Sequence, residues 1–85
     1  MEIVMIKKKG CEPCNHFEPI VKNVSIQNKL NFKIVQAEDM PENMRPDVFP
    51  FFYLLRNKEL VESWAGTNER KMHKVLNRHI SDIKL

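Results

Sequence analysis

The 85-residue sequence is poor in several residue types at once: two cysteines, two glycines, one tryptophan and one tyrosine. Two cysteines three positions apart sit too close together to staple distant segments, so this is not a disulfide scaffold. No stretch approaches the roughly 20 apolar residues that a membrane-spanning helix needs. No charged segment precedes an apolar one behind Met1, so a secretory leader is not expected and a cytoplasmic protein is. Repeats, low-complexity segments and linkers are absent, and the length suits a single domain over residues 1–85. Neither sign of charge dominates: 14 Lys and Arg face 11 Asp and Glu, a net charge of +3. That excess is too small to indicate nucleic acid, and no basic face with interleaved aromatics accompanies it. The one positive run, Lys7-Lys8-Lys9, reads either as a solvated strand end or as part of a site.

What is present is the balance of an ordinary globular domain, 42% hydrophobic and 29% charged. Glu2–Lys7 predicts a strand, and its unbroken apolar run Ile3–Ile6 suits a central strand covered on both faces. From about Glu12 to Asn28, Phe17, Ile20, Val21 and Val24 recur at helical spacing. Pro13 fits the first helical turn, where a missing N–H costs nothing. Pro19 falls inside the pattern and predicts a kink, with the Asn15 carbonyl left unpartnered.

Asn31–Gln36 predicts a second strand, with Phe32 and Ile34 on one face. A β-α-β unit in one sheet implies parallel strands and a right-handed crossover. Ala37–Phe49 carries two prolines and little periodicity, so a loop with at most a short helix is expected. Pro50–Arg56 and Glu59–Ala65 read as an antiparallel hairpin around Asn57-Lys58. Gly66 closes it, and Thr67 or Asn68 can cap a last helix. Met72, Val75, Leu76, His79, Ile80 and Ile83 carry that helix's apolar stripe. The order is β-α-β then β-β-α, an α/β fold with a four-stranded mixed sheet and helices packed on it.

The chemistry points to Gly10-Cys11-Glu12-Pro13-Cys14, placed where a strand runs into a helix. This context reads as a thioredoxin-like redox site. The first helical turn offers free N–H groups and the positive end of the helix dipole, so a thiolate there is stabilised. The thiolate is the attacking species in disulfide exchange. Residues i and i+3 lie near bonding range for a disulfide. Cys11 is expected to be the exposed attacker and Cys14 the resolving thiol one turn deeper. Lys8 and Lys9 favour the thiolate, and Glu12 opposes it. A zinc site would need four ligands; His16 could be a third, but no fourth is suitably spaced, so no metal is expected. His73 and His79 read as solvated or core-edge positions. Phe51, Phe52 and Tyr53 read as a buried strand, and Trp64 as packing or as a partner contact.

Together these residues resemble the thioredoxin and glutaredoxin superfamily over nearly the whole chain. Cys-x-Pro-Cys followed by Pro19 looks like that family's active-site helix with its proline, and Pro50 to Leu60 looks like its cis-proline, third strand, turn and fourth strand. The resemblance implies a cis Phe49–Pro50 bond facing the cysteines, with the Phe49 main chain pairing with substrate as an added strand. It implies Cys11 and Cys14 as catalytic residues, and Phe49, Pro50, Lys8, Glu12, Pro13 and Gly66 as substrate contacts.

The chain departs from thioredoxins at two places. Gly10 stands where they carry a tryptophan, and Met5 where they bury an aspartate. Both changes lean toward glutaredoxins, as does Lys8, where several of them hold a glutathione carboxylate. Gly66-Thr67-Asn68-Glu69 only partly echoes their glycine pair and acidic residue.

The expected activity is reduction of protein disulfides by dithiol exchange, without a bound cofactor beyond the Cys11–Cys14 redox disulfide. A reductase or glutathione would be the electron donor, and the protein would act as a monomer. One alternative is a glutathione-dependent, glutaredoxin-type reductase. Another is a thioredoxin-fold binding module without redox turnover.

Overall fold

The computed structural model describes residues 1–84. Its first strand, β1, spans Glu2–Lys7, and Ile3, Val4, Met5 and Ile6 are all buried. The parallel partner β2 spans Asn31–Gln36. On the other side of β1, β3 (Phe51–Arg56) runs antiparallel, and β4 (Glu59–Ala65) runs antiparallel to β3. The sheet order is therefore β2-β1-β3-β4, a four-stranded mixed sheet with the apolar run of β1 at its centre. Among the described residues, no helix is long and apolar enough to cross a membrane.

Two helices lie in the same chain, α1 over Glu12–Gln27 and α2 over Glu69–His79. α1 continues as one helix through Pro19, which stands inside it as the helical spacing implied. Its face of Cys14, Phe17, Val21 and Val24 is buried. In α2 the cap is Asn68, whose side chain accepts a hydrogen bond from Lys71 N–H at 3.2 Å. This satisfies one of the orphan donors of the first turn.

The sequence spacing carries the last helix too far. α2 stops at His79, and Ile80 is extended, with φ −126° and ψ 121°. The reason is tertiary: Arg56 donates to the His79 carbonyl at 2.9 Å, and Asn28 exchanges two 2.7 Å bonds with the Lys84 main chain. Ile80 and Ile83 still pack against the core from this non-helical tail.

The hairpin turn places Asn57 and Lys58 at φ 52° and 68°, the left-handed pair that matches the twist of the strands it joins. Asn57 adopts this region readily; Lys58 adopts it at a steric cost. A register shift between Leu54 and Leu55 bulges the β3–β4 pairing.

The two sheet faces differ. One core cluster gathers Ile3 and Met5 of β1, Phe52 and Leu54 of β3, and Trp64 of β4 under both helices. Phe17 meets Phe52 edge-on at 5.9 Å, and Phe52 stacks on Trp64 at 5.1 Å. Trp64 is thus a packing residue, only 3% exposed, although its buried indole N–H has no hydrogen-bond partner among the described residues.

The opposite face centres on Val4, Ile6 and Ala37, with Val35, Met40, Phe49, Phe51, Tyr53 and Leu55 half-buried around them. It is covered by the 37–49 segment rather than by a helix. That segment contains two short 3₁₀ turns, Ala37–Asp39 and Glu42–Met44, in keeping with the loop predicted there. β2 lies at the sheet edge. Phe32 and Ile34 alternate onto one face as expected, but Ile34 is 38% exposed.

Candidate active site

Gly10, at φ 75°, turns the chain out of β1 and into the cysteine motif. A left-handed residue is needed there, and glycine takes that conformation at no steric cost. Cys11 then becomes the N-cap of α1, with extended φ −85° and ψ 98°. Its Sγ accepts a hydrogen bond from Cys14 N–H at 3.2 Å. A sulfur thus performs the task usually given to a Ser or Asp oxygen, and it faces the positive end of the helix. Cys11 N–H donates to the Lys8 carbonyl and Asn15 N–H to the Cys11 carbonyl, which closes a tight frame around the pair. Cys11 and Cys14 are joined as a disulfide, with Cα atoms 5.3 Å apart.

The order of exposure is the expected one, Cys11 at 6% and Cys14 at 0%. Cys11 is nevertheless buried rather than openly exposed as predicted. Its sulfur is drawn into the capping position and bonded to Cys14, leaving only a small edge for an attacking thiol.

The Phe49–Pro50 peptide bond is cis. Pro50 is buried, and its carbonyl accepts a 2.8 Å bond from Gly66 N–H. Gly66 sits at φ 93°. This single bond ties together two residues 16 positions apart that the sequence singled out separately. Phe49 is half-buried and packs against both core clusters, one of which contains Cys11 and Cys14. Pro13 is exposed in the first turn of α1. Glu12 is also exposed, and its carboxylate lies 3.6 Å from His16 Nε2, one helical turn on. The pairing is local, between two solvated side chains, and His16 is 82% exposed.

The three lysines go three separate ways. Lys7 Nζ reaches α1, donating to Asn15 Oδ1 at 2.8 Å and to Glu18 Oε1 at 2.7 Å. Lys8 Nζ lies 5.2 Å above the Phe49 ring, within cation–π range. Lys9 main-chain N–H donates to Glu38 Oε1 at 2.7 Å. The run is therefore more than a solvated strand end: it fastens the loop before Cys11 to α1, to Phe49 and to the first 3₁₀ turn.

Two cavities flank Lys8. The larger, about 430 Å³, is lined by all three lysines, Gly10, Asn15, Gln36, Glu38 and Asp39. The smaller, about 220 Å³, lies between Lys8, Glu38, Arg45 and Phe49, over Ala37 and Pro46. Glu38, Arg45 and Glu18 are the residues that sequence reasoning missed. Glu38 lies 29 positions from Lys9, and nothing local in the sequence pairs the two.

No family model matches the sequence, and no curated protein matches it. Solved structures do. Thioredoxin f2 of Chlamydomonas reinhardtii superposes with a TM-score of 0.79 at 24% identity, over 91% of this chain and 76% of that one. Thioredoxin 1 of Thermosipho africanus reaches 0.80 at 13% identity, over 93% of both chains. The chain has a thioredoxin fold. The periplasmic thioredoxin SoxS of Paracoccus pantotrophus superposes with a TM-score of 0.70 at 17% identity, over 91% of this chain and 92% of that one. Within the thioredoxin fold, the Cys-x-x-Cys disulfide at the start of α1 is consistent with thiol–disulfide redox chemistry.

Proposed function

We propose that this protein is a thiol–disulfide oxidoreductase that reduces protein disulfides by dithiol exchange. The observation that carries the proposal is the Cys11–Cys14 disulfide at the N-terminus of α1, with Cys11 Sγ capped by the Cys14 N–H. The reduced enzyme presents Cys11 as a thiolate, favoured by that N–H and by the helix dipole. The thiolate attacks one substrate sulfur. The substrate S–S bond breaks, a Cys11–substrate disulfide forms, and the displaced thiolate takes up a proton. Cys14, losing its proton, attacks Cys11 Sγ, releases the second substrate thiolate and restores the Cys11–Cys14 bond. Two electrons have passed to the substrate, and an external dithiol or glutathione returns them. Phe49 and Pro50 offer the main chain beside which the substrate lies, with Pro13 and Gly66 at its margins. This direction of flow suits a reducing compartment, the cytoplasm.

A second reading, glutathione-dependent reduction, is favoured by the small cavity beside Phe49. Lys8 and Arg45 supply two cations there against the single Glu38 carboxylate, a net positive lining that suits a glutathione carboxylate. Two variants separate the readings. Turnover of a protein disulfide with dithiothreitol as donor is expected for the wild type and absent in Cys11→Ser. Cys14→Ser abolishes dithiol reduction, yet would retain turnover of glutathione mixed disulfides under the second reading. Wild-type protein that is folded but shows no protein-disulfide turnover would sink the first reading.

A further inference from the structure

The geometry points to Glu38 as a positioning residue of the redox site: its carboxylate latches the loop that delivers Cys11, and its charge restrains formation of the Cys11 thiolate. The inference rests on the proposed dithiol chemistry and concerns how that chemistry is tuned.

Three observations carry it. First, Lys9 N–H donates to Glu38 Oε1 at 2.7 Å, two residues before Cys11. Between them stands Gly10, at φ 75° and with open space around its Cα, so the loop's own side chains do not brace it at that point. Second, the far side of the latch is itself held. Arg45 Nη2 donates to the Glu38 carbonyl at 3.3 Å and Arg45 Nε to the Met40 carbonyl at 3.0 Å, which fixes the 3₁₀ turn that carries Glu38. Third, Glu38 lines the large cavity together with Gly10, the residue directly before Cys11.

The carboxyl is held below the usual carboxylate range, first by the Lys9 N–H, then by its own main chain and by the Arg45 and Lys9 charges. It is therefore negative throughout the range in which a thiol titrates. The charged groups that face it are Lys9 and Arg45, with Lys7, Lys8 and Asp39 around the shared cavity. A negative charge near a thiol disfavours the thiolate, whereas the lysines favour it. Glu38 thus offsets the tri-lysine run while using one of its main-chain donors as an anchor.

The two roles separate by substitution. Glu38→Gln keeps an acceptor for Lys9 N–H and removes the charge; Glu38→Ala removes both. The probe is iodoacetamide alkylation of the dithiol protein across pH 5–9; Cys14 is fully buried, so the fast phase reports Cys11. At the acidic end, Glu38→Gln is expected to raise the rate by a factor of about 2–5. The gain should shrink toward none in about 1 M salt, which a structural effect would not do. Amide hydrogen exchange at Lys9 is expected to be unchanged in Glu38→Gln and at least about tenfold faster in Glu38→Ala. A Glu38→Gln profile superimposed on the wild type overturns the restraint, and unchanged Lys9 exchange in Glu38→Ala overturns the latch. Neither readout requires substrate turnover. A wild type without disulfide reductase activity would count against the proposed function, and these measurements would still decide the role of Glu38.

Discussion

The two faces of one sheet show how differently neighbouring residues can be employed. Phe52 and Tyr53 are adjacent in β3 and point to opposite sides. Phe52 is fully buried between Phe17 and Trp64, beneath both helices and in the cluster that contains the disulfide. Tyr53 is half-buried and meets Phe51 edge-on at 5.3 Å, on the face covered by the 37–49 segment. The helix-covered face holds the Cys11–Cys14 disulfide within its cluster. The other face ends in the loop that supplies Phe49, Arg45 and Glu38. The difference teaches that one face fixes the cysteines through a packed helix, while the other is closed by irregular chain that latches the loop before them.

The largest effect that would test this comparison is on the covered face. Phe52→Ala is expected to destabilise the protein by about 3–5 kcal/mol, through lost burial and the cavity left between two rings. Tyr53→Ala should cost clearly less, about 1–2 kcal/mol, because the ring is only partly withdrawn from water. Urea denaturation of the two variants checks this, and equal losses would break the comparison. Next comes the cap that holds α2 on the covered face: Asn68→Ala is expected to lower stability by about 1 kcal/mol, read in the same titration. Leu60, 58% exposed at the margin of the other face, should tolerate Leu60→Ser within about 0.5 kcal/mol.

The smallest effect is electrostatic and again concerns α2. Glu62 of β4 lies 2.7 Å from His79 Nε2 and 2.6 Å from Arg78 Nη1, at the end of that helix. These partners, His79 first, hold the Glu62 carboxyl below its ordinary value of 4.5. A depressed carboxyl contributes stability above its unfolded value and loses it as the pH falls through the folded one. The Tm gap between wild type and Glu62→Gln should therefore be present at pH 6 and close on acidification below about pH 4.5. Thermal melts across that range decide it, and a gap independent of pH would show that the contacts act through packing alone.

Most of the frame was legible in the residues. The apolar run of β1, the 3.6-residue stripe of α1 and the Asn57-Lys58 turn each announce an element through short-range chemistry. The cysteine pair was legible for the same reason, since Cys11 and Cys14 share one helical turn. Less legible were features that depend on where distant chain ends up. The stripe Met72–Ile83 runs past His79, yet the helix stops there because Arg56 and Asn28 take up the chain end. Cys11 reads as an exposed thiol, yet it caps its own helix and is nearly covered. Pairs such as Lys7 with Glu18 or Lys9 with Glu38 have no periodic signature, because a hydrogen bond between remote residues leaves none.

The sequence by itself determined the element order, the mixed sheet and the position of the cysteine pair, because periodicity, turn residues and helix starts act over a few residues. Tertiary structure alone decided what covers the second sheet face, how far α2 runs and what each of the three lysines holds. Those outcomes depend on contacts across 8 to 56 positions of chain, and such contacts exist only once the fold has brought their partners together.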